Sequence, residues 1–286
     1  MSKAIAITAL DAAQIDARMT AHRREAKYLV TADEARAVAA VCDRELESHR
    51  HRGEGANKLP TPHHYVTTIY FDTASRELFH AAKGSADHIK LRAKEYYDLH
   101  PGLTETATDA RQLVRNQPIL WLELKSRKGA HTGKQRIGIP KRDVPVFFTQ
   151  GRVTPEMIAI QERTYASEAS NVLASIAELC RCCTQPLRAD CLVNYRRTAW
   201  QDHAGDLRVT IDNGLAFFAP PADLWDRDWA LVRPTLGASI ATEPRRVLEI
   251  KSCGEQPPWL VELLRERGIV AAAFSKFEAA SVAVHG

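Results

Sequence analysis

Glycine-rich phosphate loops and long apolar runs are both missing from this sequence of 286 residues. Neither G-x-x-x-x-G-K-[ST] nor G-x-G-x-x-G occurs, which argues against a P-loop or a dinucleotide-binding site. No run of about 18 apolar residues occurs, so no membrane-spanning helix is predicted. The opening MSKAIAITALDAAQ lacks the apolar core of a signal peptide. These absences predict a cytoplasmic protein.

Cysteine is also scarce, with six residues in the chain. Three of them lie together in ELCRCCTQP, but the C-x-C-C spacing has no second half of Cys or His nearby. A zinc site is therefore not favoured. The interpretation is that the cysteines are reduced thiols in a reducing compartment.

Excess charge of one sign is small, because the formal net charge is +4 and the sequence pI is about 8.7. A basic site must therefore be a local concentration of Lys and Arg. The modest charge and the lack of a basic tail argue against broad nucleic-acid binding. Tyr96, Tyr97 and Tyr195 are the only aromatic residues interleaved with basic strands, which is few for a base-stacking surface.

The order of elements predicts an α+β protein built as a single domain over residues 1–286, with an N-terminal helical extension at 1–20. About eight segments alternate as antiparallel strands do, namely EAKYLV, YVTTIYFDT, HIKLRAKEYYD, ILWLELKSR, KQRIGIP, RADCLVNYRRTAW, DLRVTID and RRVLEIKS. Helices are predicted from Thr31 to about Ser48, at SRELFHAAKG closed by Gly84, over much of 143–179, and at PPWLVELLRERG and FSKFEAASVAV. The 98–118 and 223–232 segments have no assigned role.

Charged residues recur at alternate positions of these strands. Side chains two residues apart share a face of a strand, and the spacing Glu-x-Lys occurs at Glu25/Lys27, Glu123/Lys125 and Glu249/Lys251. The same face of other strands carries Lys90, Arg92 and Lys94, then Lys134 and Arg136, then Tyr195 and Arg197, then Arg208 and Asp212. The opposite faces are aliphatic, as in Leu122 and Leu124 or Leu248 and Ile250.

A half-buried antiparallel sheet with a solvated outer face is the plain interpretation of such alternation. The density of Lys and Arg argues against it, because neighbouring like charges repel on a flat sheet and unpaired ions are costly in a dry interior. A water-filled concavity or tunnel, with helices over the aliphatic outer faces, accommodates both. The predicted architecture is an eight-stranded antiparallel β-barrel tunnel with helices packed on its outside.

Phosphate is the anion best suited to such a face, because Arg donates bidentately to phosphate oxygens. The carboxylates have two possible roles. Glu25, Glu123, Asp212 and Glu249 can hold a divalent cation that bridges phosphate oxygens, or some of them pair only with the lysine two residues along. A metal together with Lys and Arg is what phosphoryl transfer requires.

Nine segments in order, from about Arg23 to Lys276, resemble the VTC domain of polyphosphate polymerases, in the CYTH-like superfamily of triphosphate tunnel metalloenzymes. They are the eight strand segments above, the last of them taken together with the PPWL that follows it, and FSKFE. The resemblance implies an antiparallel barrel that forms a tunnel and transfers the ATP γ-phosphate to a growing polyphosphate chain, with Mn²⁺ or Mg²⁺ as cofactor. ATP and polyphosphate, or another triphosphate, are the implied partners.

The resemblance also implies site residues. Those implied to bind phosphate are Lys27, Arg92, Lys94, Lys125, Lys134, Arg136, Arg197, Arg208, Ser275 and Lys276. Those implied to hold the metal are Glu249 first, then Glu123 and Glu25. Lys90, Tyr195, Asp212 and Lys251 are secondary candidates.

Two departures from the family pattern bear on activity. Arg23 stands where hydrolytic relatives carry the first glutamate of E-x-E-x-K, which favours the polymerase branch. Lys94 stands where arginine is common in the family, which keeps the charge and loses the bidentate fork. A triphosphate or nucleoside-triphosphate hydrolase of the same fold remains an alternative, as does a non-enzymatic polyphosphate-binding or polyanion-binding module.

Overall fold

The structure is a computed structural model that describes residues 23–48, 63–83, 85, 87–97, 119–128, 131–164, 169–225 and 231–286. Three predicted features lie outside the described residues: the N-terminal helix at 1–20, the closing Gly84 and the 98–118 segment. Of the 223–232 segment, residues 226–230 also lie outside them.

One antiparallel sheet contains all the described strands. They are β1 (Arg23–Val30), β2 (Glu47–Ser48), β3 (His63–Asp72), β4 (His88–Tyr97), β5 (Ile119–Lys128), β6 (His131–Pro140), β7 (Arg188–Gln201), β8 (Leu207–Phe218), β9 (Ala241–Glu243) and β10 (Arg246–Cys253). Eight of them follow the order β1-β10-β8-β7-β3-β4-β5-β6, and the short β2 and β9 pair with β7 and β8. The eight predicted strands are confirmed.

Seven described helices accompany the sheet. They are α1 (Ala32–Glu45), α2 (Glu77–Ala82), α3 (Val144–Gln150), α4 (Pro155–Thr164), α5 (Ala169–Cys182), α6 (Pro258–Glu266) and α7 (Lys276–His285). Thr31 begins α1 with a reciprocal capping box to Glu34, as its position before two acidic residues predicts. The predicted continuation of α1 to Ser48 is wrong, because Glu47 and Ser48 pair with Gln201 and Trp200 of β7 instead.

The aliphatic faces of the strands form two buried cores outside the sheet. Leu122 of β5 and Ile139 of β6 pack with Met157 of α4 and Ile176 of α5, and all four are fully buried. Around β8 and β10, a second core joins Leu248 to Val38 of α1 and Leu260 of α6. Each such side chain contributes on the order of 1.5–3 kcal/mol on burial, so the helices are fixed to the convex face and the charged face is left on the inside.

The sheet curls until its two ends approach each other. Lys125 Nζ of β5 lies 3.6 Å from Glu25 Oε2 of β1, although five strands separate β1 and β5 in the sheet order. Among the described strands, no backbone ladder joins β1 to β6. A segment before α7 runs beside β1 instead, where the Ala272 backbone N–H donates to the Lys27 carbonyl at 2.8 Å. The α+β class with a many-stranded antiparallel sheet is confirmed, and the sheet is tunnel-like without being a closed barrel.

None of the described helices is long and apolar enough to cross a membrane.

Candidate active site

Strand register aligns the predicted phosphate-binding residues of β4, β5 and β6 in rows. Lys90 lies directly opposite Lys125, which lies opposite Lys134. In the next row Glu123 lies between Arg92 and Arg136. Residues directly opposite each other in a sheet share a face, so all of these side chains share the concave face.

The other half of the sheet contributes a second set of rows. Lys251 lies between Glu25 and Arg208, and Glu249 lies between Lys27 and Thr210. Asp212 lies opposite Arg197 of β7, beyond a bulge that follows Asn194. The bulge shifts the pairing of β7 with β8 by one residue. Beyond it, Arg197 and Asp212 are directly opposite each other and share the concave face.

Glu123 is surrounded by three cations. Its side chain is fully buried, and Arg92 Nε and Nη2 lie 2.9 and 2.8 Å from Oε2. Lys134 Nζ lies 3.0 Å from Oε1, and Lys94 Nζ lies 3.3 Å from Oε2. Burial opposes ionisation of Glu123, but Lys94, Arg92 and Lys134 together hold its pKa well below the usual range. One carboxylate therefore anchors three cations contributed by two strands.

Burial acts in the opposite direction on the cations around Glu123. It lowers the pKa of Lys94 well below its usual value, with Arg92 adding to the shift and Glu123 opposing it. The pKa of Arg92 is raised despite burial, because Glu123 lies against it. Arg92 therefore remains charged, while Lys94 retains its proton with difficulty unless an anion comes near.

Asp212 holds a second group of cations. Arg197 donates to both of its carboxylate oxygens, at 2.6 and 2.7 Å, and Lys276 Nζ lies 2.6 Å from Oδ2. Burial opposes ionisation, yet Arg197 and Lys276 lower the pKa of Asp212 to about 2. The bidentate geometry holds the Arg197 guanidinium in a fixed plane.

Glu25 and Glu249 form a close carboxylate pair on the concave face. Burial and the nearby Glu249 both oppose ionisation of Glu25, but Lys251, Lys125 and Lys27 lower its pKa to about 2. Lys251 Nζ lies 2.6 Å from Glu249 Oε1 and 3.6 Å from Glu25 Oε2. Both carboxylates are therefore ionised and point to a common region.

The three predicted metal ligands, Glu249, Glu123 and Glu25, differ in the cations that surround them. Within the described part of the chain, no group of three or more His, Cys, Asp or Glu residues is arranged to hold a metal. Mg²⁺ commonly binds through one or two carboxylates and completes its shell with water and substrate phosphates, which Glu25 and Glu249 fit. Both Glu123 and Glu25 have three cations as neighbours, but those around the fully buried Glu123 lie 2.8, 3.0 and 3.3 Å from its oxygens and those around Glu25 lie 3.1, 3.6 and 3.6 Å away. A further positive ion is therefore less favourable at Glu123.

Helix α7 brings its first residues into the same concavity. Lys90 Nζ donates to Ser275 Oγ at 3.0 Å and lies 3.4 Å from Glu278 Oε1. Ser275 also caps α7 by accepting from the Glu278 backbone N–H. Burial lowers the pKa of Lys276, with Asp212 opposing the shift. The predicted pair Ser275 and Lys276 is thus placed beside residues of β4 and β8.

Three tyrosines line the concavity, the buried Tyr70 and Tyr195 and the partly buried Tyr96, and of these the sequence pointed to Tyr195 and Tyr96 only. Burial raises the pKa of Tyr70, while Arg92 opposes the shift. Burial likewise raises the pKa values of Tyr96 and Tyr195. Tyr70 was missed because the inward face of YVTTIYFD carries no charge, although its alternation with Thr68 would have placed it there. All three hydroxyls remain protonated donors.

Arg136 differs from the other predicted phosphate-binding residues in its contacts. Its guanidinium stacks 3.7 Å from the centroid of the Trp121 ring and 6.0 Å from that of Tyr96. Stacking leaves the edge of a guanidinium available to donate hydrogen bonds. Trp121 faces the concavity, on the same side of β5 as Glu123.

The concave face as a whole is strongly basic. Its cations are Lys27, Lys90, Arg92, Lys94, Lys125, Lys134, Arg136, Arg197, Arg208, Lys251 and Lys276, and its carboxylates are Glu25, Glu123, Asp212 and Glu249. The excess of positive charge in this list is larger than the formal +4 of the whole chain. A flexible polyanion would offset that excess at many points at once.

Comparison with known proteins gives one family match and weak structural similarities. The family model described as the VTC domain matches residues 22–285. A Bacillus halodurans protein for which adenylate cyclase activity has been proposed is similar in structure, with a TM-score of 0.44, 13% identity and coverage of 89% of this chain and 96% of that one. A Pyrococcus horikoshii protein is similar with a TM-score of 0.38, 12% identity and coverage of 90% and 94%. No curated protein sequence matches the chain.

Proposed function

This chain belongs to the VTC domain family, and from that premise we propose that it transfers the γ-phosphate of ATP to a growing polyphosphate chain in its concave face, with Mn²⁺ or Mg²⁺. The predicted antiparallel tunnel fold agrees with the sheet described above. The whole chain is proposed to act as one such domain.

The observation that carries the proposal is the convergence of cations from seven strands and one helix on a single face that also holds the carboxylate pair Glu25 and Glu249. Phosphoryl transfer depends mainly on positioning and on stabilising charge at the transferring phosphate. Lys and Arg side chains at several depths along the concavity suit a chain of phosphates rather than a single one. Glu25 and Glu249 supply the oxygen ligands that a bridging divalent cation needs.

The proposed reaction keeps both chains of phosphates within the concavity. A terminal oxygen of polyphosphate attacks the γ-phosphorus of ATP, and the bond from that phosphorus to the oxygen bridging to the β-phosphate breaks. ADP departs with that oxygen, and the polyphosphate is longer by one unit. Arg92, Lys94 and Lys134 are proposed to stabilise the oxygens of the transferring phosphate, with Arg197 and Lys276 on the neighbouring one.

Glu25 and Glu249 are proposed to hold the divalent cation, which would neutralise charge on the β- and γ-phosphate oxygens when bound. Lys251 and Lys27 keep both carboxylates ionised, so the pair is ready to bind a cation at neutral pH. Glu123 is proposed to act differently, by holding Arg92, Lys94 and Lys134 together before a phosphate arrives.

Incubation with ATP and Mn²⁺, followed by gel electrophoresis of the products, tests the proposal. Chains of many phosphates are expected, together with ADP. Free phosphate without chains would instead favour the triphosphate hydrolase, and polyphosphate binding without turnover would favour the binding module. Arg245→Gln is a suitable control, because Arg245 pairs with Glu243 at the surface and its loss should leave the products unchanged.

Two glutamate variants test the metal assignment in the same assay. Glu249→Gln should lower turnover by at least about 100-fold while polyphosphate binding persists, because a metal ligand is lost and the cations remain. Glu123→Gln should reduce tripolyphosphate binding even without metal, since three cations lose their common anchor. A Glu123→Gln protein that binds tripolyphosphate normally and loses only its response to Mn²⁺ would return Glu123 to the metal site.

A further inference from the structure

Helix α7 contributes to the concavity only through its first turn. Ser275 caps it and receives a hydrogen bond from Lys90, and Lys276 pairs with Asp212 at 2.6 Å. The contact of Lys276 with Asp212 joins the helix to β8 of the sheet. The position of the Lys276 ammonium therefore depends on how α7 as a whole is seated.

The buried side chains by which α7 packs are aromatic near its start and small in its middle. Phe277 is buried against Tyr70 and Phe79, with ring centroids 5.0 and 6.1 Å apart. Beyond it, the buried residues of the helix are Ala280 and Ser281, whereas Val282 is half exposed. Ala283 and Val284 are partly buried against the same apolar core, and these side chains remove less apolar area from water than Phe277 does.

A hydrogen-bond contact holds the far end of α7. His285 Nε2 lies 2.8 Å from Asp190 Oδ1, and the Asp190 side chain is 2% exposed. The other oxygen of Asp190 is buried without a hydrogen-bond partner among the described residues. Burial raises the pKa of Asp72, and the nearby Asp190 adds to that shift. His285 is therefore the donor that satisfies a buried carboxylate in an otherwise unfavourable setting.

Asp190 stands on the same strand as two residues of the concavity. It lies in β7, which carries Tyr195 and Arg197 further along, and Lys276 Nζ lies 5.0 Å from the Tyr195 ring centroid. The two ends of α7 are thus fixed to one strand region, with His285 at Asp190 and Lys276 near Tyr195. This arrangement fixes the axis of a helix of only ten residues.

We propose that His285 and Asp190 are positioning residues that seat α7 so that Lys276 and Ser275 reach bound phosphate. The inference rests on the proposed function only in that the concavity binds phosphates. Neither residue of the pair touches the substrate, and their effect passes through α7. Loss of the contact lets the second half of the helix move and withdraws part of the cationic charge contributed by Lys276.

A double-mutant cycle with tripolyphosphate as the probe tests the inference. The affinity is measured by calorimetry without ATP or metal for the wild type, His285→Ala, Lys276→Gln and the double variant. His285→Ala should weaken binding about tenfold, which is the loss of one charge-assisted contact. In the Lys276→Gln background, His285→Ala should have at most about a twofold effect, because the residue through which it acts is gone.

Two further variants separate positioning from general destabilisation. His285→Gln retains a donor that reaches toward Asp190 and should recover most of the affinity. His285→Asn is polar but too short to reach, and it should reproduce the loss if His285→Ala does not fold. Unchanged affinity in His285→Ala, or an equal loss with and without Lys276, would overturn the inference. Because no turnover is measured, absence of polymerase activity would count against the proposed function and not against this inference.

Discussion

Lys125 makes the charge of the concavity sensitive to pH near 8. Burial lowers its pKa to about 8, Glu25 opposes the shift, and Arg92 adds to it. The ammonium is therefore present below about pH 8 and is lost as the pH rises through that value. Tripolyphosphate affinity should fall roughly three- to tenfold between pH 7 and pH 9, since one of the cations that bind it disappears.

Lys125→Arg is the matched control for this pH dependence. The guanidinium remains charged throughout the range, so the affinity of the variant should decline less steeply than that of the wild type. The ligand titrates identically with both proteins, and the difference between the two profiles therefore belongs to residue 125. Coincident profiles would show that Lys125 does not lose its proton in this range.

At the scale of single residues, the sequence indicated which side chains share a face but not which of them touch. Alternation placed Arg92 and Glu123 on the inside of their strands. The grouping of Lys94 and Lys134 around Glu123 depends on the register between β4, β5 and β6, which alternation leaves open. The role of Glu123 therefore changed from a predicted metal ligand to a proposed anchor once its neighbours were known. The assignments themselves remain predictions for the assays above.

Strand β6 and helix α4 meet closely at Gly138. A Cβ atom at this position would lie 2.9 Å from Ile160 Cγ2 and 3.1 Å from Ile119 Cγ2. Both neighbours are β-branched and have little rotamer freedom. Gly138→Ala should therefore lower the free energy of unfolding by about 1–3 kcal/mol through overpacking, measured by urea denaturation.

Ile160→Ala provides the partner change for this test. It leaves a cavity of its own and should cost about 2–5 kcal/mol alone. In combination with Gly138→Ala, the new methyl group occupies part of that space, and the double variant should lose less stability than the two losses added together. If the two losses of stability simply add, a methyl group at position 138 does not contact the Ile160 side chain.

At the scale of elements, long segments were predictable and short ones were not. The eight principal strands alternate apolar residues with charged or polar ones over several positions, which a sequence shows directly. Strands β2 and β9 have two and three residues, too few for a pattern. The end of α1 was misplaced for the same reason, since pairing of Glu47 with Gln201 is a long-range contact. Such contacts override local helix propensity.

The whole molecule should be sensitive to acid. Glu25 and Asp212 each have a pKa of about 2, below their ordinary values of 4.5 and 3.8. A lowered carboxyl pKa contributes stability above the ordinary value, and that stability is lost as the pH falls toward the folded value. The free energy of unfolding should therefore drop by on the order of 2–3 kcal/mol per group between about pH 5 and pH 2.

Urea unfolding at several pH values measures this loss. Glu25→Gln cannot take up the proton and should show a shallower decline than the wild type over the same range. An identical slope in both proteins would mean that Glu25 is not held ionised by Lys27, Lys125 and Lys251. Tripolyphosphate should be left out of these samples, because a ligand that binds only the folded state raises the apparent stability.

At the scale of the molecule, the sequence predicted a concave, cation-lined sheet with helices outside, and this much follows from alternation and charge. The sequence also predicted a barrel, whereas no backbone ladder joins β1 to β6 among the described strands. The approach of Lys125 to Glu25 and the contact of Ala272 with Lys27 bring β1 near the opposite end of the sheet. No local pattern in β1 or β6 specifies that distance, because it accumulates from the twist of every intervening strand.

Both faces of strand β4 contact other parts of the molecule. Arg92 and Lys94 face the concavity, and Leu91 and Ala93 face the core. In genetic terms, loss of a single codon within this strand would exchange the two sets beyond the lesion. Ammonium and guanidinium groups would enter the hydrocarbon layer beneath the helices, and aliphatic groups would line the tunnel. We therefore expect point substitutions in β4 to be better tolerated than a deletion. Insertions and deletions in this gene are expected in the segments between strands, because a change of length within a strand reverses its two faces.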